Sequence, residues 1–151
     1  MRAQGLAVGV IVVASAGCGA QDADEPLPVA CQSGQEAVRA ALRAAPRPVR
    51  LEGVPLSACF DPQSDAAELQ TVGISFVGAA GALAERARER PEGDAATQLG
   101  YLIGAMRRGA GSEEVQGVNT ELVRRVEQEL TLVDPGSRAL REGMRAGERT
   151  G

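Results

Sequence analysis

Histidine, lysine and tryptophan are all missing from this 151-residue chain, and its aromatic side chains amount to one Tyr and two Phe. Each gap excludes something. Without His the chain lacks the commonest general base near neutral pH, the usual partner of a Ser or Cys nucleophile, and the commonest metal ligand. No nucleophile–base pair can be read from what remains, so neither enzymatic chemistry nor a bound metal or cofactor is expected. So few aromatic rings leave little surface for stacking nucleobases. A net charge of −4 and an isoelectric point near 5.0 add repulsion from phosphate backbones, so nucleic acid is not an expected partner. The same balance gives no strong attraction to anionic lipid headgroups, and membrane attachment has to come from the amino-terminal segment. The hydrophobic share is 44%, much of it Ala, so the core must be thin and built from Leu, Val, Ile and Ala. A domain of this size gains from a covalent staple.

The chain begins MRAQGLAVGVIVVASAGCGA. Arg2 is a short positive start, and Leu6 to Ala16 is an uncharged, mostly apolar run. That run is too short to span a bilayer, which takes about 20 apolar residues. Small residues then lead into a cysteine: Ser15-Ala16-Gly17-Cys18. This stretch resembles the lipobox of bacterial lipoproteins, with Ser15 where that class usually has Leu or Val. The resemblance covers residues 1–18 alone. It implies a signal peptide over residues 1–17, lipid on the Cys18 thiol, acylation of the new amino terminus, and a place on the extracytoplasmic face of the cell membrane. Several acyl chains hold a protein firmly where one alone is marginal. Ala14-Ser15-Ala16 also fits the rule for ordinary secretion, which would start the mature chain at Gly17 and leave it secreted.

Three cysteines are an awkward number in an oxidising compartment. With Cys18 lipidated, Cys31 and Cys59 remain as a pair, and export permits the bridge. Closing a loop of that size is worth about 3.5 kcal/mol by the chain-entropy relation.

Residues 18–30 read as a lipidated terminus and tether, kept solvated by Asp22, Asp24 and Glu25 and kept from helix by Pro26 and Pro28. Residues 31–146 read as an all-α domain, a small bundle of four main helices with one disulfide-pinned irregular segment. Ser33 and Glu36 have the spacing of a capping box and open a helix that carries Val38, Ala41, Leu42 and Ala45 up to Pro46 and Pro48. Residues 49–63 are irregular, with short extended pieces at 49–51 and 54–56 around Glu52-Gly53, and Pro55 argues against a central strand. The clearest helix runs from about Asp65 to Arg90. Its broad apolar face holds Leu69, Val72, Gly73, Phe76, Val77, Ala80, Leu83, Ala84 and Ala87. Gly73, Ala80 and Ala87 suggest close approach of a neighbouring helix. A third helix spans about 94–108, bearing Leu99, Leu102, Ile103 and Met106. A fourth spans about 119–132, with an earlier start near Ser112 open, bearing Val115, Val118, Leu122, Val126, Leu130 and Val133. Glu121 and Arg125 can pair on its outer side. Asp134-Pro135-Gly136 is a turn before a short last helix with Leu140 and Met144, and residues 147–151 are expected to fray as a disordered tail.

Every candidate for chemistry has a plainer explanation. Ser57 or Cys59 as nucleophile would have no His beside it, and an oxidised Cys59 cannot attack; a turn and a bridge explain them better. Asp61, Asp65 and Glu68 could hold a hard cation, but carboxylates at a helix start are also what its dipole favours. Arg39, Arg43, Arg47 and Arg50 could receive an anion, or simply form a solvated face. Glu85, Arg86, Arg88, Glu89 and Arg90 are mixed in sign and fit an exposed helix end. Tyr101 could stack on a ligand, though a rim position on the core is the simpler place. Gly73, Gly78, Gly81, Gly100 and Gly104 follow no strand, so they form no phosphate loop and point to packing.

The functional expectation is a membrane-tethered envelope lipoprotein acting as a non-enzymatic interaction or structural module. Its contacts would be the membrane, through Cys18, and an envelope protein. The alternative is an exported carrier with an apolar pocket lined by Phe76, Leu83, Leu99, Ile103 and Leu122.

Overall fold

The computed structural model describes residues 26–61, 66–111 and 118–151. The signal peptide, Cys18, the tether as far as residue 25, Asp65, Ser112 and Val115 lie outside the described residues, as does the Val118 side chain.

Among the described residues five helices carry the fold: α1 Gly34–Leu42, α2 Ala66–Glu89, α3 Asp94–Ala110, α4 Val118–Gln128 and α5 Arg138–Thr150. Short 3₁₀ turns at Val29–Gln32, Leu56–Phe60 and Glu129–Leu132 link them. The protein is mostly helical, and the two short extended pieces expected within the irregular segment pair as a small hairpin. Strands β1 Arg50–Leu51 and β2 Val54–Pro55 pair antiparallel, with Leu51 opposite Val54. The two residues between them turn with positive φ, 48° at Glu52 and 89° at Gly53. A two-residue loop of that sense matches the natural twist of a hairpin, and Gly suits its second position. Pro55 is accommodated because, among the described residues, the sheet has no third strand to which its missing N–H would donate.

α2 is the central helix and packs against α1, α3 and α4. Its sequence is apolar and long enough to cross a membrane by length and composition. Leu69, Val72, Phe76, Ala80, Leu83, Ala84 and Ala87 are all buried on its inward stripe. Phe76 meets Phe60 edge to face at 4.7 Å between ring centres, so two of the three aromatic rings form one contact in the core.

Cys31 and Cys59 are joined, with both sulfurs fully buried. The bridge ties the 3₁₀ turn before α1 to the one before α2, and so fastens the thinly apolar α1 to the core. The capping box at α1 does not form: the Ser33 hydroxyl donates backward to the Ala30 carbonyl at 2.7 Å, and Glu36 pairs with Arg39 at 2.9 Å instead. A hydroxyl that closes the preceding 3₁₀ turn is no longer turned toward its own helix.

The last helix differs most from expectation. Instead of fraying after residue 146, α5 runs to Thr150, and Gly147 and Gly151 are buried. α3 and α5 form the most extensive helix pair in the molecule. They run parallel, and Gly100 and Gly104 of α3 lie against the Leu140 and Met144 carbonyls while Gly143 and Gly147 of α5 lie against the Thr97 and Tyr101 carbonyls. Four-residue spacing places all these glycines on facing edges, where a side chain would strike the opposite backbone. Backbones this close favour weak Cα–H···O contacts and dense dispersion.

Both ends of α5 are tied. Glu92 accepts from the Arg138 and Ala139 amides, and the Ser137 hydroxyl accepts from the Leu140 amide and donates to the Pro91 carbonyl at 2.6 Å. These bonds satisfy the leading N–H groups that a helix leaves unpaired. At the other end Arg108 donates to the Glu148 and Arg149 carbonyls, and Ser57 donates to the Gly151 carbonyl. Tyr101, expected at the rim, is fully buried. Its hydroxyl accepts from the Val49 amide at 3.0 Å and lies 3.0 Å from the Thr150 hydroxyl, which sits 3.0 Å from the Ala146 carbonyl. An amide only donates and a carbonyl only accepts, so the chain has one direction: Val49 N–H to Tyr101, Tyr101 to Thr150, Thr150 to Ala146.

Candidate functional site

Among the described residues a cleft lies between α2 and α4. One wall is a single face of α2, with Gln70, Gly73, Ile74, Val77 and Gly78 at the three- and four-residue spacing that stacks side chains along a helix. The other is Glu121, Leu122 and Arg125 of α4. The cleft has a volume of about 850 Å³ and is open along one side. Gly73 lets the two walls meet closely along one edge: the Leu122 side chain lies where a Cβ at position 73 would be. Ile74 is 75% exposed on its wall, the one large hydrophobic that the described part of α2 leaves uncovered.

The rim toward solvent is charged and internally paired. Glu121 binds Arg124 through both carboxylate oxygens, at 2.9 Å each, and Arg125 at 3.0 Å. The paired bonds from Arg124, then the bond from Arg125, hold the Glu121 carboxyl well below its usual range, at about 2. The reading of a Glu121–Arg125 pair holds, and Arg124, three residues from Glu121, joins it with a paired bond.

The cleft does not lie among the residues named for the expected carrier pocket. Phe76, Leu83, Leu99 and Ile103 are fully packed in the core, with at most 1% exposure, and Leu122 is the one member that reaches the cleft. Their stripe faces other helices, and the opening lies a quarter turn around α2. One signal pointed there: Ile74 is a large β-branched residue off the main stripe, with Gly73 and Gly78 beside it, and such residues suit a surface that something apolar covers.

The remaining candidates are dispersed. Ser57 serves as a tie to Gly151, and Cys59 is in the bridge. Glu68 accepts the Leu27 amide at 2.8 Å, fixing where the chain joins the domain. Asp61 is exposed at the end of its 3₁₀ turn. Among the described residues no group of three or more His, Cys, Asp or Glu is placed to hold a metal ion. Of the arginine series, Arg39 pairs with Glu36, Arg50 donates to the Gly53 carbonyl, and Arg43 and Arg47 are exposed. Glu85, Arg86, Arg88, Glu89 and Arg90 are exposed along the end of α2. Arg86 and Arg90 border a small polar hollow of about 70 Å³ at the start of α3. Compared with known protein families, curated proteins and solved structures, the chain matches none.

Proposed function

We propose that this protein is an exported, lipid-anchored component of the bacterial cell envelope whose helical domain acts as a non-enzymatic binding or structural module. The observation that carries the reading is the joining of Cys31 to Cys59. Persistent disulfides belong to oxidising compartments, and this one leaves Cys18 as the odd thiol, in the sequence context where lipoproteins are acylated. The dispersal of Ser57, Asp61, Glu68 and the arginines fits a domain that binds by shape.

Intact mass of the protein from the membrane fraction, taken with and without reductant, tests this. The reading expects a chain beginning at Cys18, heavier by its acyl groups, and a two-proton gain on reduction. An unmodified chain beginning at Met1 in the soluble fraction would overturn it. A chain beginning at Gly17 without lipid would replace anchoring by secretion.

A second reading, carriage of a small apolar ligand, is favoured by the α2–α4 cleft alone. It moves the ligand from the bundle interior to the Gly73–Leu122 surface. Clefts of this volume enclose small ligands.

A further inference from the structure

We propose that the α2–α4 cleft receives an acyl chain carried by Cys18 of the same molecule, so that the protein shelters part of its own lipid when away from a bilayer. This rests on the lipidation reading above and adds the destination of the lipid.

The path of the chain is the first reason. The Leu27 amide is bound to Glu68 in the first turn of α2, about 3 Å along the helix axis from Gln70, where the cleft begins, and on the opposite side of the helix, which is about 10 Å across. With a rise of 1.5 Å per residue, the cleft runs from about 3 Å to about 15 Å along the helix axis from Glu68. The segment from Cys18 to Leu27 reaches up to about 30 Å when extended. Cys18 can therefore stand at either end of the cleft without moving the domain.

The lining is the second reason. Gly73, Ile74, Val77, Gly78 and Leu122 supply apolar length, while the polar residues Gln70, Glu121 and Arg125 stand around them. Glu121 and Arg125 are already bonded to each other. A ligand that must be oriented by its polar groups meets converging, unpaired donors and acceptors in its site. A polymethylene chain needs only apolar surface and exclusion of water. A cleft open along one side also lets the chain stay joined to its glycerol and to Cys18. Tethering raises the local concentration to about the millimolar range for a short flexible linker, so modest affinity suffices.

The absence of Trp makes a clean test possible. Ile74→Trp, in the acylated protein purified from membranes and freed of detergent, puts a single indole on the cleft wall. Acrylamide quenching is then measured before and after adding vesicles of phosphatidylethanolamine and phosphatidylglycerol. Transfer of the acyl chain to the bilayer should uncover the indole and raise its quenching constant at least twofold. Quenching that is unchanged, or that falls, overturns the proposal, as does protection gained by adding free palmitate without vesicles, which would make the cleft a site for exogenous ligand. Gln70→Trp is the second reporter should the first variant show a lowered melting temperature. Intact mass separates the two levels: unacylated Cys18 removes both readings, whereas acylated Cys18 with indifferent quenching removes only the sheltering.

Discussion

Two helix pairs in this molecule use glycine in opposite ways. Between α3 and α5 the glycines of each helix meet the backbone of the other, and the interface closes completely. Between α2 and α4 a single glycine, Gly73, meets only the flexible end of Leu122, and a cleft remains beside it. The first pair is fastened at both ends by Glu92, Ser137, Arg108 and Ser57; the second has a charged rim and exposed Ile74. A small residue therefore means rigidity only where its neighbour is main chain, which cannot move aside.

The sharpest way to break this contrast is Gly100→Ala with Gly104→Ala. The added methyls strike the Leu140 and Met144 carbonyls, and overpacking against backbone should cost about 3 kcal/mol or more, outweighing the roughly 1 kcal/mol per site gained in helix propensity. Urea unfolding with an unchanged m-value would check it. Next, replacing Cys31 and Cys59 together by Ser should cost about 3–4 kcal/mol, because the bridge closes a 28-residue separation; the same loss should follow reduction of the unaltered protein. Tyr101→Phe should cost about 1–3 kcal/mol by leaving the buried Val49 amide without its acceptor, and hydrogen exchange at that amide should quicken. Gly73→Ala should fall within about 1 kcal/mol of neutral in either direction, since Leu122 can turn away while the helix gains. A large loss there would erase the contrast between the pairs.

The smallest effect sharpens the rim. Glu121 titrates at about 2 in the folded protein against 4.5 ordinarily, because Arg124 and Arg125 bind its charged form. A lowered carboxyl pKa gives stability that is whole above about pH 4.5 and lost as pH falls toward 2. Glu121→Gln should therefore lower the melting temperature slightly at neutral pH, leave it unchanged near pH 2, and so flatten the acid limb between them. Salt should shrink the difference, since the group is exposed to solvent.

Side-chain periodicity made the helices legible, above all α2, expected from about 65 to 90 and found at Ala66–Glu89. It gave α5 only as a short helix with a frayed end, because that helix's surface is too polar for a broad apolar stripe and what it buries is largely backbone. Gly143 and Gly147 at four-residue spacing, echoing Gly100 and Gly104, were the available sign. Tyr101 was misplaced for a related reason: a phenol can be fully buried when its hydroxyl finds both a donor and an acceptor, and Val49 and Thr150 are distant in sequence. The pairing of Cys31 with Cys59 was readable from arithmetic and compartment. The cleft was not, because an opening between helices depends on their spacing, and only Ile74, off its stripe, hinted at it.

The bridge also decides how tension would spread. Any pull on the amino-terminal segment reaches Cys31 a few residues after Leu27 and crosses directly to Cys59 through a covalent link. The intervening length, with α1 and the hairpin, lies off that covalent route. Traction that has parted the Leu27 amide from Glu68 is therefore carried by the bridge past α1 and the hairpin to Cys59, at the approach to α2.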